Sequence, residues 1–203
     1  MGDTEEFRRC GFENVFRKAK SPRIMYEGRE IWSDHQFPIA DGQRLRLIVQ
    51  SFDTNWGNLG KGRTLQGVGL TIDKKIEVCG MSCSLLTIWP YPPPVSRLRL
   101  PAEKLLRVEF GSVHAEAGIG SRLYLWLDQP SRPVDLIGHT RDGHIHIWNA
   151  WQFEKATAAA GIHSGHYGAG MLVEEITDGF CYRCNDGYPD QDFDDIVFTI
   201  ERL

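Results

Sequence analysis

A chain of 203 residues with 41% hydrophobic and 25% charged residues can bury a full core, and that length suits one domain over residues 1–203. A formal net charge of −4 argues against nucleic acid as the partner, because phosphate binding needs a basic surface. No apolar run is long enough for a secretory signal or a bilayer span, so the chain as given reads as cytoplasmic, without a membrane partner.

Residues 1–22 read as an N-terminal arm or short helix. Apolar positions Phe7, Cys10, Phe12, Val15 and Phe16 make a loose helical stripe, which Gly11 weakens. Arg8, Arg9, Arg17, Lys18 and Lys20 are interleaved with it and read as a solvated face. From Arg23 onward the period changes to two. Leu45, Leu47 and Val49 alternate within one strand, and Thr64–Ile72 reads as another. Further strands are expected at Ser84–Trp89, Leu105–Phe110, Arg122–Leu127, His144–Trp148, Met171–Ile176, Phe180–Cys184 and Asp195–Glu201. Turn signals separate them, among them Asp41-Gly42, Asp73-Lys74, Asp142-Gly143 and Asp178-Gly179. With 21 Gly and 10 Pro, the pattern predicts an all-β fold, an antiparallel two-sheet sandwich of jelly-roll type. Two segments break the rhythm. Pro90–Pro94 is a stiff crossing between sheets. Phe153–Ala160, ended by Gly161, reads as a short helical insertion.

The five Cys include two close pairs, Cys79 with Cys83 and Cys181 with Cys184. Four thiolates can hold zinc. Cys181 and Cys184 fall within one strand, however, where an offset of three puts them on opposite faces. Zinc is therefore not expected.

The densest chemistry lies near the C-terminus. Asp186, Asp190, Asp192, Asp194 and Asp195 sit within ten positions. Ionised carboxylates this close repel unless they are solvated or neutralised. Calcium resolves the repulsion, since it takes six to eight oxygens from flexible Asp-rich loops. The spacing Asp190-x-Asp192-x-Asp194 with Glu201 superficially fits a helix-loop-helix calcium site. Asp195 stands where that loop needs Gly, and Ile196–Ile200 reads as a strand, so the ligands are expected from a loop feeding a terminal strand.

The run Asp190-Gln-Asp-Phe-Asp-Asp-Ile-Val-Phe198 resembles the ending of calcium-binding β-sandwich domains of the galactose-binding-like or carbohydrate-binding-module type. The resemblance covers about a dozen residues and implies a sandwich with calcium as cofactor. Ser51–Gly60, which carries Asp53, Asn55 and Asn58 around Trp56, is similar to the W-G-N loops of such sandwiches. It is expected to offer oxygens to the same ion or to rim a ligand site.

Five of the seven His lie between His139 and His166. His144 and His146 share one strand face, and His163, His166 and Tyr167 belong to a Gly-rich loop that lets backbone approach a ligand. The four His suit either a transition metal or, with Tyr167, acid and base groups, and no signature fixes which. Asp34-His35 with Glu30 offers another carboxylate–imidazole pair. Trp56 and Trp151 read as loop residues able to line an apolar pocket, with Asp53 and Asn55 beside them. No nucleotide-binding glycine motif, G-x-S-x-G elbow or H-E-x-x-H is present.

Two functions follow as expectations. The first is a metal-stabilised, otherwise cofactor-free enzyme that uses acid/base chemistry (cyclisation, isomerisation, elimination or hydrolysis) on a small organic or sugar substrate. The alternative is a calcium-dependent carbohydrate- or small-molecule-binding module without catalysis. Either takes a small molecule or glycan as partner, and either allows a homodimer.

Overall fold

The computed structural model describes residues 11–53, 64–78, 81–83, 108–110, 113–117, 122–127, 133–153, 163–165, 167–188 and 190–203. The strand expected at Ser84–Trp89, the Pro90–Pro94 crossing and the helical insertion after Phe153 lie outside them. Among the described residues there is one helix, α1 (Phe12–Ala19), and 15 strands. The strands are β1 (Arg23–Tyr26), β2 (Arg29–Trp32), β3 (His35–Pro38), β4 (Gln43–Phe52), β5 (Thr64–Thr71), β6 (Lys75–Val78), β7 (Met81–Cys83) and β8 (Val108–Phe110). They continue with β9 (Val113–Ala117), β10 (Arg122–Leu127), β11 (Val134–His139), β12 (His144–Phe153), β13 (Gly170–Ile176), β14 (Gly179–Asn185) and β15 (Ile196–Arg202). No described helix is long and apolar enough to cross a membrane.

The strands form two antiparallel sheets, as the period-two pattern predicts. A nine-stranded sheet runs β1-β2-β13-β14-β15-β4-β11-β6-β7, and a six-stranded sheet runs β3-β12-β5-β10-β9-β8. Their inner faces share one core. Leu45, Leu47 and Val49 alternate inward from β4, and Tyr182, Phe198 and Ile200 come from β14 and β15. Val68, Leu70, Ile145 and Ile147 meet them from the other sheet. Each such side chain, fully buried, stabilises the fold by about 1.5–3 kcal/mol relative to exposure. Tyr182 stacks on Phe198 with centroids 4.7 Å apart.

Three of the expected turns are corners between the two sheets. Asp41-Gly42 carries the chain from β3 in one sheet to β4 in the other, Asp73-Lys74 from β5 to β6, and Asp142-Gly143 from β11 to β12. A tight turn needs the same residues whether the next strand pairs with the last or crosses to the opposite sheet. The Asp178-Gly179 signal closes a hairpin, between β13 and β14. The corners lie at one pole and bind one another. Asp41 Oδ1 accepts the Thr140 N–H at 2.9 Å and Lys74 Nζ at 3.2 Å, and Asp73 accepts the Arg141 N–H at 3.0 Å.

Helix α1 covers the outer face of β1, β2 and β13. Phe12 and Phe16, one turn apart, bury against Ile24, Tyr26 and Ile31. Glu13 in the first turn and Arg17 and Lys18 in the last suit the helix dipole. Gly11 precedes the helix at φ 56°, and a Cβ there would sit 2.2 Å from the Tyr167 carbonyl oxygen. Only glycine fits that approach.

Candidate functional site

The acidic segment occupies the pole opposite the corners. It links the end of β14 to the start of β15, and β4 ends beside it, where the Asp53 N–H donates to the Asp195 carbonyl at 2.8 Å. Carboxylate oxygens of Asp190, Asp192 and Asp195 lie within 4.8 Å of one another. That arrangement can hold a cation. Asp190 and Asp192 are exposed, whereas Asp195 is buried at the base. Asp195 Oδ2 accepts the Asp186 N–H at 2.7 Å. Asp186, itself fully buried, accepts the Tyr188 N–H at 2.7 Å through Oδ1 and Gln66 Nε2 at 3.0 Å through Oδ2. Of the five Asp, then, three converge and Asp186 braces them from below. Asp194 stands on the exposed side, where its backbone N–H reaches Asp192 Oδ1 at 3.4 Å.

The electrostatics follow from this crowding. Burial, then the charges of Asp190 and Asp192, raise the Asp186 carboxyl well above the ordinary carboxylate range. Burial, then Asp186, does the same to Asp195. Asp190 is raised to about 6 by loss of solvent and by Asp192, and Asp194 is raised by the same two causes, with Asp53 contributing. Without a cation the loop holds its negative charge at a cost.

Several partners of this loop carry no sequence motif. Gln66 reaches Asp186 from β5 across the core, and Asn149 Nδ2 reaches the Asn185 carbonyl at 2.8 Å from β12. Gln66 alternates with the buried Val68 and Leu70 along β5, and an amide in that inward series is the sequence sign of a buried polar tie. Asn185, fully buried, donates through Nδ2 to the carbonyls of Gly168 at 2.9 Å and Tyr188 at 2.8 Å, while its Oδ1 has no hydrogen-bond partner among the described residues. Through Asn185 the Gly-rich loop of Tyr167 and the acidic loop, far apart in sequence, lie side by side. Gly168 sits so close that a Cβ would fall 2.6 Å from the Tyr188 carbonyl oxygen.

The expected histidine group is spread out. His144 and His146 face outward from β12, with Ile145 and Ile147 buried on the other side, as alternation requires. His163 instead pairs its backbone with Trp151, five positions beyond His146, a separation of about 17 Å along an extended strand. Tyr167 is exposed beside α1, and His166 lies outside the described residues. Trp151, expected in a loop, is within β12 and buried, stacked on His163 with centroids 5.7 Å apart. Strand β12 runs longer than its apolar pattern implied, because pairing with β5 extends it through Phe153. Trp56 and Asn55 lie outside the described residues, while Asp53 is beside the acidic loop.

The pair Asp34-His35 does not form. Asp34 Oδ1 instead meets His146 Nδ1 at 2.8 Å, bringing β12 and the start of β3 together. His35 points into the core, where Nδ1 is 2.9 Å from the Tyr182 hydroxyl, and burial lowers its pKa to about 4. Glu30 accepts Trp32 Nε1 at 3.1 Å. Cys184 is buried and Cys181 lies on the opposite face of β14, both as free thiols.

No family model, characterised protein sequence or solved structure matches this chain.

Proposed function

We propose that this protein is a calcium-dependent binding module, a β-sandwich whose acidic pole holds the ion and presents a small molecule or glycan to it. The convergence of Asp190, Asp192 and Asp195 carries the reading. Hard oxygen donors on a loop, with a buried carboxylate at the base, suit calcium better than a softer metal. Asp53, at the end of β4, brings a further carboxylate to the same pole. Calcium held this way keeps open coordination positions, which sugar hydroxyls can fill.

The enzyme reading has one specific observation behind it, the Asp34–His146 contact at 2.8 Å. A carboxylate on Nδ1 orients an imidazole and leaves Nε2 to move a proton. It stands on an outward sheet face, away from the Gly-rich loop, so the binding reading takes precedence.

Calorimetric titration with calcium, followed by glycan-array binding in calcium and in chelator, tests the proposal. Calcium-dependent retention of a glycan or small molecule is the expected result. Turnover of a substrate that survives chelation and is lost in His146→Ala would replace it with the enzyme reading.

A further inference from the structure

Helix α1 touches the acidic loop by two routes. The first is Phe193, which stands between the exposed Asp192 and Asp194 but turns its own side chain fully inward. Its ring lies 5.9 Å from that of Phe12 in α1, and the Arg29 guanidinium lies 5.0 Å over it. Arg29 also donates to Gln191 Oε1 at 3.4 Å. Gln191 and Phe193 both have left-handed backbones, at φ 63° and 57°. Residues other than glycine hold that conformation only when their surroundings impose it. Here the imposing surface is α1 with β1 and β2.

The second route runs through the Gly-rich loop. The Glu13 N–H donates to the Tyr167 carbonyl at 3.0 Å, and Glu13 Oε2 accepts the Tyr167 N–H at 3.2 Å. The next residue, Gly168, donates to the Gly187 carbonyl at 3.2 Å and accepts from Asn185 Nδ2. Gly187 adjoins Asp186, whose N–H is held by Asp195. One end of α1 thus reaches the exposed part of the loop and the buried base of it.

We propose that α1 is a positioning element of the cation site, so that helix docking and occupancy of Asp190, Asp192 and Asp195 by a divalent cation strengthen one another. This rests on the reading of the acidic loop as a cation site and adds that the helix belongs to it. Coupling of this kind is reciprocal: if the docked helix raises cation affinity, the cation must raise helix docking by the same factor. A helix that only covered the sheet would lend stability and leave affinity unchanged.

The test uses the full chain and calcium alone, with Phe12→Leu, Glu13→Ala and Asp192→Asn variants. The calcium Kd is expected to weaken roughly tenfold in Phe12→Leu and less in Glu13→Ala, within the usual range of coupling between sites. Amide hydrogen exchange in α1 should slow on adding calcium to the wild-type chain and not in Asp192→Asn. An unchanged Kd in both helix variants, with only their melting temperatures lowered, would overturn the coupling while leaving the cation site intact. Absence of any calcium binding by the wild-type chain would overturn the cation reading and the coupling together. The Glu13→Ala variant keeps the test informative if Phe12→Leu fails to fold, because Glu13 contributes nothing to the apolar cluster.

Discussion

The two poles of the sandwich use the same side chain to opposite ends. At the corner pole each carboxylate has a donor. Asp41 is lowered by the Thr140 N–H and then by Lys74, Asp142 by the Thr140 hydroxyl and then the His144 N–H, and Glu77 by Lys75. At the acidic pole Asp186, Asp190, Asp194 and Asp195 are all raised, by burial and by one another. A carboxylate supplied with N–H groups and cations serves as a structural tie. Carboxylates buried and crowded against one another favour a positive charge among them, even where N–H groups reach Asp186 and Asp195. The contrast locates the candidate site more sharply than the count of aspartates does.

The largest break should come from Phe193→Ala, which empties a fully buried position between the helix and the acidic loop. The loss expected is about 3–5 kcal/mol, read by urea denaturation, and it should exceed that of any substitution at the corners. Next comes a pH effect from His35. In the folded chain it stays neutral down to about pH 4, whereas the unfolded chain takes up its proton near 6.5. The stability His35 contributes is therefore complete above pH 6.5 and is lost as the pH falls towards 4, on the order of 3 kcal/mol at 1.4 per unit. The raised aspartates run the other way when no cation is bound, so the test is the difference between wild type and His35→Phe. A difference that does not change between pH 7 and 4.5 would exclude this role for His35.

Calcium gives the third effect. At 100 times its Kd, a ligand bound only to the folded chain adds about 2.7 kcal/mol. The wild-type chain should show that rise in thermal denaturation against chelator, and Asp195→Asn should not. The smallest effects differ in sign. In chelator, Asp190→Asn should raise the melting temperature by relieving repulsion, while Asp41→Asn should lower it slightly by taking charge from the Thr140 and Lys74 contacts. Equal signs at the two poles would remove the comparison on which the site rests.

What was legible in the sequence was local. Leu45, Leu47 and Val49 announced the inward face of β4, the bounds Arg122–Leu127 were those of β10, and the density of aspartates marked the acidic loop. What was not legible depends on pairing across the chain. The corner turns carry ordinary turn residues, and nothing in Asp142-Gly143 says that β12 joins the other sheet. Nearness in sequence groups the histidines, whereas the ten-residue strand β12 holds His146 and His163 apart. Gln66, Asn149 and Phe12 reach the acidic pole only through tertiary packing, which no local pattern encodes.

The place of β15 in the nine-stranded sheet has a consequence during synthesis. It lies between β14 and β4, and Phe198 pairs with Val49, roughly 150 positions earlier. At the usual pace of a ribosome, β4 waits about 8 to 30 seconds for that neighbour. Throughout that interval one edge of an apolar strand stands open, a template for any other nascent chain. The acidic loop emerges just ahead of β15, so a strongly hydrated stretch arrives at the moment the open edge is sealed.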